Sequence, residues 1–430
     1  MARLDDSPRK LLGQIFHFSS ATLTASFITL LQGILVLKLV EPTVYGIWMS
    51  LALILDYGIY FHLGLVNGLE RSIPFFKGMN RDDKAQSAAE TCKFTLLLLI
   101  LTGVALLLGI TTLLGRHWRT EVRIGVISVA ISAFLYLGTQ YYTALLKVNQ
   151  RFKEVGYLQL IIAIGMLICL LLIWRYGFYG FCMRAIFTTC LGLAYTAWRA
   201  RDKSRVRFDG AMALYLVKIG LPLMTIGAIA LILFSFDRLL ILTFLGSTLM
   251  GYYGISIALL RMLNLFPTVV GQVFAPVMAN VYGATLSPRS LLKYAARASL
   301  TAFCITISAV VVLYFLIPPV IIHFLPKYTY GITAARISLL TSLLLALSVG
   351  PGFFLQTIMR QFEYFIVILL SAIVILSSVL MLFARGYDLS GVAWGMVIGY
   401  AVNTAGVWIY TFVFCHREKK TGRESAPQSS

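Results

Sequence analysis

Apolar runs of twenty or more residues recur along the whole chain, separated by short polar clusters. "FTLLLLILTGVALLLGITTLLG" (94–115) is one of them, and about 20 such residues cross a bilayer as helix. The pattern predicts twelve spans, at 11–38, 45–69, 87–114, 124–147, 156–174, 181–199, 212–237, 249–281, 293–317, 330–358, 363–384 and 389–414. Breakers fall between them, among them "VEPTVYG", "GRHWRTE", "RYGFYG", "LIPP", "FLPKYTYG" and "ARGYDLSG". Short segments of strict alternation, the mark of a membrane β-barrel, do not occur. The expected fold class is an all-α polytopic membrane protein.

Composition agrees with this. Of 430 residues, 59% are hydrophobic and 12% charged, and mean hydropathy is +0.85; a soluble chain carries roughly 25% charged residues. The net charge of +19 could point to nucleic acid, but its distribution points to topology. Taking alternate loops, one side holds 23 Lys and Arg and the other 8. The positive-inside rule then places both termini and the basic loop "RARDKSRVR" (199–207) in the cytoplasm. A bacterial inner membrane is the expected location, nucleic-acid binding is not expected, and contacts with anionic lipids are. The basic start "MARLDDSPRKLLGQ" leads into a full-length span without a cleavage site, so no signal peptide is expected. The six cysteines include no C-x-x-C, and the five histidines lack ligand partners at i+3 or i+4. Neither a metal nor a cofactor is expected.

The basic loop divides the chain into halves of six spans: an N-terminal lobe at 1–200, a linker at 201–211, a C-terminal lobe at 212–414 and a polar tail at 415–430. The second span of each half begins alike, "YGIWMSLALILDYG" from Tyr45 and "YGISIALLRMLNLF" from Tyr253, at an offset of 208. An even number of spans per half implies parallel repeats, related by a pseudo-two-fold axis along the membrane normal, with a substrate cavity between the lobes. External loops of roughly a dozen residues or fewer leave little room for a catalytic domain. There is no P-loop ATPase motif and no potassium-filter signature. A secondary transporter or flippase leads, ahead of a membrane-embedded glycan ligase or polymerase.

Five basic residues fall inside the spans: Lys93, Arg184, Lys218, Arg261 and Arg336. Four lie within about six residues of a span end, where a long stem can snorkel to the interface. Arg261 lies a dozen residues into the eighth span, where an unpaired cation would cost several kcal/mol. Asp56 is equally deep in the second span, and the offset of 208 carries it onto Asn264, one turn from Arg261. Asp56 and Arg261 can therefore pair between repeats, or Asp56 can carry a coupling proton. Gly64 and Gly68, at i and i+4, permit close helix approach. Arg71 then falls at the cytoplasmic mouth, either to greet an anionic headgroup or as plain topological charge. Asp237 and Arg238 sit in "ILFSFDRLLILTFL" (232–245). A seventh span of about 25 residues ends at this pair, which places it at the periplasmic end, snorkelling, paired locally or latching a gate.

Two stretches carry a family resemblance: "LVEPTVYGIWMSLALILDYGIYFHLGLVNGLERSIPFFKG", and the run from "IGLPLMTIG" (Gly220, Pro222) through "SFDR" and "GYYG" to "FAPVM" (Pro276). They resemble the polysaccharide transporter branch of the multidrug/oligosaccharidyl-lipid/polysaccharide (MOP) exporter superfamily. The resemblance covers essentially the whole chain. It implies a Wzx-type flippase moving an undecaprenyl-pyrophosphate-linked oligosaccharide to the periplasmic leaflet, for O-antigen or exopolysaccharide assembly, alongside other polysaccharide assembly proteins. In that family spans 1, 2, 7 and 8 line the cleft and cationic side chains attract the pyrophosphate. The expected substrate contacts are thus Arg261, Arg71, Arg184, Arg336 and Lys218, with Asp56, Asp237 and Arg238 as coupling or gate residues. Coupling to H+ or Na+ stays open, and a drug/cation antiporter of the same superfamily is the closest rival.

Overall fold

The computed structural model describes residues 8–113, 115, 118–202, 204–285 and 287–421. The tail beyond Thr421 and the side chains of Arg9, Lys10 and Pro276 lie outside the described set. Among the described residues every regular element is helical: α1 Pro8–Leu39, α2 Pro42–Gly58, α3 Leu65–Gly78, α4 Asp82–Leu113, α5 Thr120–Val148, α6 Phe152–Ile168, α7 Leu170–Tyr176 and α8 Phe178–Ala200. There follow α9 Gly210–Phe234, α10 Phe236–Leu240, α11 Gly246–Leu263, α12 Leu265–Thr285, α13 Pro288–Phe324, α14 Ile332–Thr357, α15 Gln361–Ala384 and α16 Leu389–Thr421. Twelve stretches of the described chain are long and apolar enough to cross a membrane. The chain is a multi-pass membrane protein, and many large apolar side chains point outward from it, such as Leu101, Phe315 and Phe362.

By contact the chain divides into two compact units, 1–231 and 232–430. The boundary falls inside α9, not in the basic linker. In the first unit Leu65, Leu69, Phe76, Ala88, Cys92, Tyr141 and Leu216 share one core. A second core joins Val36, Trp48, Val129, Ile173 and Phe181. In the second unit Ala295, Ala298, Ala302, Ala346, Phe354 and Val407 pack α13 against α14 and α16. Small residues let those helices approach closely, and a Cβ on Gly350 would come within 2.6 Å of the Ser299 hydroxyl.

Prolines inside helices free the carbonyl four residues back, and in an apolar surrounding that group needs a donor. Pro351 frees the Leu347 carbonyl, which accepts from Ser299 Oγ at 2.7 Å and Trp408 Nε1 at 3.0 Å. Pro318 frees the Tyr314 carbonyl, which accepts from Arg336 Nε at 3.2 Å. The guanidinium of Arg336 also lies 4.6 Å from the Tyr314 ring centroid. Arg336 therefore has a structural task that its position near a span end did not suggest.

The second span departs from the expected continuous helix over 45–69. After α2 the chain makes a 3-10 turn, Ile59–His62, and then two left-handed residues, Leu63 (φ 50°) and Gly64 (φ 82°), before α3 begins. His62 is buried, and its Nδ1 accepts the Gly64 N–H at 3.0 Å, which satisfies a donor that the broken helix would otherwise leave bare. The eighth span is interrupted too, more gently, at Asn264 (φ −67°, ψ −12°) between α11 and α12.

Candidate functional site

Each unit holds its own polar groups among apolar helices. In the first, Asp56 is half-buried on α2, and Tyr136 of α5 lies within electrostatic reach of Asp56 and Tyr60. The α9 backbone comes close here, since a Cβ on Gly227 would be 3.3 Å from the Tyr60 hydroxyl. Nearer the start of α2, Trp48 stacks on Phe181 of α8 with centroids 5.1 Å apart and planes at 15°. The Arg184 guanidinium lies 5.0 Å from the Phe181 centroid and 6.0 Å from that of Trp48. Its Nη1 is buried and finds no hydrogen-bond partner among the described residues. Arg184 does not snorkel; it is held on an aromatic shelf. A guanidinium with its faces stacked keeps its edge donors for a planar or tetrahedral anion.

In the second unit Asp237 and Arg238 are each 2% exposed. Asp237 Oδ1 accepts the Arg238 backbone N–H at 2.7 Å. The buried Tyr253 hydroxyl lies near Asp237 and Ser338 without a hydrogen bond of good geometry, and Arg238, Arg261 and Tyr400 are within electrostatic range of the carboxylate. The seventh candidate span, Gly210–Phe234, does end beside the pair, but the two charges do not snorkel to water. The chain turns at Ser235, continues as α10, and runs on through a π-helical turn, Ile241–Leu245, before the glycine turn at Gly246 (φ 83°). The two charges lie nearly two helical turns before that bend, folded against α11, so neither reaches water. The sequence missed Tyr253, Ser338 and Tyr400 as partners, because nothing in their spacing links them to residue 237.

Of the other candidates, Arg261 is exposed in the last turn of α11, and Arg71 and Lys218 are exposed on α3 and α9. Lys93 is fully accounted for. Its ammonium pairs with Asp202 at 2.9 Å and donates to the Ser204 carbonyl at 3.1 Å. Tyr141 donates to the same carboxylate at 3.2 Å. Burial pushes the Asp202 carboxyl up, but the Ser204 hydroxyl and the Lys93 ammonium outweigh it and hold the group below the usual carboxylate range. With the Arg205 N–H on Glu90 at 3.3 Å and Phe208 on Phe94 at 5.3 Å, these contacts bind the linker to α4 and α5. Among the described residues no three His, Cys, Asp or Glu side chains gather in a way that could hold a metal.

A family model described as polysaccharide biosynthesis protein matches residues 78–298, just over half of the chain. The chain belongs to that family. Its fold is that of the MOP transporters. An inward-facing multidrug-resistance MATE transporter of that superfamily superimposes with a TM-score of 0.77 at 17% identity, over 96% of this chain and 99% of that one. Lipid II flippase MurJ in an inward closed conformation gives 0.68 at 14% identity, over 95% and 93%. A MOP transporter from Pyrococcus furiosus, described as having a binding pocket of reverse polarity, gives 0.66 at 16%, over 96% and 97%. No curated protein matches the chain.

Proposed function

We propose that this polysaccharide-biosynthesis protein is a flippase. It moves a polyprenyl-pyrophosphate-linked oligosaccharide, of the undecaprenyl class, across the bacterial inner membrane for O-antigen or exopolysaccharide assembly. The observation that carries the reading is that a member of a polysaccharide family is built throughout as a MOP transporter fold. A sugar headgroup and its pyrophosphate lose their hydrogen bonds in hydrocarbon, so a carrier must replace their hydration. Arg261, exposed on α11, and Arg184, with a free edge on its aromatic shelf, supply donors of the right kind. Arg71 and Lys218 serve as outer contacts for the anion, and Arg336, already bonded to the Tyr314 carbonyl, drops out of the set.

The basic loops lie in the cytoplasm, with both termini, and the substrate is taken from that side. Carrying an anion outward across an inside-negative membrane is downhill by about 2.3 kcal/mol per charge per 100 mV, so membrane potential can drive the step. Asp56, beside Tyr60 and Tyr136, is the group best placed to add H+ or Na+ coupling. Transport, not bond formation, is the activity proposed.

The test is reconstitution in vesicles with a labelled polyprenyl-pyrophosphate oligosaccharide, scored by how much sugar becomes accessible on the far leaflet. Arg261→Ala is expected to abolish flipping with insertion unchanged, and Arg261→Lys to retain part of it, since a point charge keeps attraction but loses the bidentate fork. Flipping by Arg261→Ala at the parent rate would remove Arg261 from the site. The likeness to a multidrug MATE transporter favours one rival, an organic-cation antiporter. Binding of organic cations with none of prenyl-pyrophosphates would establish that instead.

A further inference from the structure

Three segments of the second unit meet at one end of its helices, and all three bring tyrosines. They are the first two turns of α11, the 3-10 turn Pro326–Gly331 between α13 and α14, and the turn between α15 and α16. Tyr252 and Tyr330 lie with centroids 5.3 Å apart and planes at 52°, Tyr252 and Tyr328 at 6.4 Å and 75°. The Tyr330 hydroxyl donates to Asp388 Oδ2, which closes the group onto the third segment. Tyr330 is 54% exposed, and Tyr387, next to Asp388, is 48% exposed. Each of the two turns is one crossing away from the loops that carry Arg289 and Arg360, so both lie on the face opposite those basic loops.

The group is held rigidly. Tyr328 is fully buried and anchors its turn. Gly331 of the same turn packs so closely on α11 that a Cβ there would overlap the Tyr252 carbonyl oxygen. Asp388 precedes α16, and its carbonyl accepts the Val392 N–H at 3.3 Å. Its Oδ1 faces the Ser390 N–H at 3.4 Å. That long contact leaves acceptor capacity, since an ionised carboxylate takes about four hydrogen bonds. A tyrosine of an ordinary interfacial belt turns its hydroxyl toward water and headgroups. Tyr330 commits its hydroxyl to a carboxylate of another turn, so what it offers outward is ring. Charge then narrows the ligand. Asp388 opposes a phosphate headgroup, while Lys327 and Arg385, exposed on the same two turns, oppose an organic cation. A neutral sugar meets neither objection. It sets an apolar C–H face on a ring and directs hydroxyl donors from its edge to a carboxylate.

We propose that Tyr252, Tyr330, Tyr387 and Asp388 form a saccharide subsite on the outer face of the second unit, which receives the sugar headgroup once it has crossed. Ring contact and one carboxylate bind weakly, which suits a site that must then let go. The inference rests on the flippase reading for the source of the sugar, but binding is measurable without transport. The experiment uses the full chain in a detergent without a sugar headgroup, checked for monodispersity. Saturation-transfer NMR titrations are run with the methyl glycosides of glucose, galactose, rhamnose and N-acetylglucosamine. The parent is expected to transfer magnetisation to the ring C–H protons of at least one. Tyr330→Ala should weaken that binding about tenfold, and Asp388→Asn, which keeps an oxygen to cap α16, about threefold. Tyr330→Trp keeps a ring face and should retain most of it. Tyr179→Ala, which removes an exposed ring of the first unit, should leave it unchanged. No transfer to any of these glycosides, or an equal loss in Tyr179→Ala and Tyr330→Ala, would overturn the site. So would binding of tetramethylammonium or glycerol phosphate there in place of the sugars. A parent that flips its substrate but binds no glycoside would remove the subsite and keep the transport reading. A parent that binds a glycoside through Tyr330 but does not flip would do the reverse.

Discussion

The two halves of the apolar run 210–245 are held by opposite means. From Gly210 to Leu231 the helix belongs to the first unit, where glycines bring its backbone against α3. Past Ser235 the run belongs to the second, where Asp237 and Arg238 are buried against α11 beside Tyr253. The contact with α3 is made by backbone and small residues packed closely, without charged groups at Gly64, Gly68 or Gly220. Buried opposite charges within electrostatic range cannot part without leaving one uncompensated, which is costly. One apolar run thus builds a helix packed through its glycines, α9, and a short helix holding buried charges, α10. The Ser235 turn lies between them.

This contrast can be broken experimentally. The largest effect is expected from Arg238→Met, which leaves the buried Asp237 with one opposite charge fewer and should cost up to about 3–5 kcal/mol, read as a fall in apparent Tm in detergent. Adding Asp237→Asn should recover much of that loss. If the single variant is as stable as the parent, the charged end is no anchor. Next, Gly68→Leu forces a side chain against the Leu216 backbone, and overpacking of this kind costs about 1–3 kcal/mol. It should lower Tm less than Arg238→Met does; the reverse order would invert the comparison. His62→Ala removes the acceptor for the Gly64 N–H and should cost about 1 kcal/mol, measured in the same way, whereas His62→Gln should retain part of the bond.

The smallest effect concerns the tether of the linker to α4 and α5. Because the Asp202 carboxyl is held below its ordinary value, its contribution is present above the unfolded-state value of about 3.9. It is lost only as pH falls through the lower folded value. The linker should therefore resist trypsin at Arg205 and Arg207 at neutral pH and through mild acidification. Asp202→Asn should raise cleavage there at pH 7, with a change in stability below about 1 kcal/mol. Equal cleavage in both proteins would show that the tether does not hold.

Much of this was legible in the chain. Twelve apolar runs separated by breakers define twelve spans, since a bilayer leaves a polar backbone few choices. The shared "YGI" starts at Tyr45 and Tyr253 lead, by the offset of 208, to two spans that are both interrupted part-way, near Ile59–Gly64 and at Asn264. The Gly64–Gly68 spacing announced a close approach, although it could not name α9 as the partner. The site was less legible. Arg336 and Lys93 read as buried cations, and only their neighbours, the carbonyl freed by Pro318 and the carboxylate of Asp202, show what they bind. The pair Asp237 and Arg238 does fall beside the end of the seventh span at Phe234, but its burial was not legible, because apolar composition continues through 245 whether the chain goes on as helix or turns into a loop.

By itself the sequence determined the spans, the helical class and the asymmetry of basic loops, because hydrophobicity and charge are local properties that a membrane reads one segment at a time. Tertiary structure alone decided that Gly220 meets Gly64, that Arg184 rests on Trp48, and that Asp237 faces Tyr253. Those pairings join residues from 16 to 156 positions apart. They depend on how rigid helices pack, and spacing along the chain carries no record of that.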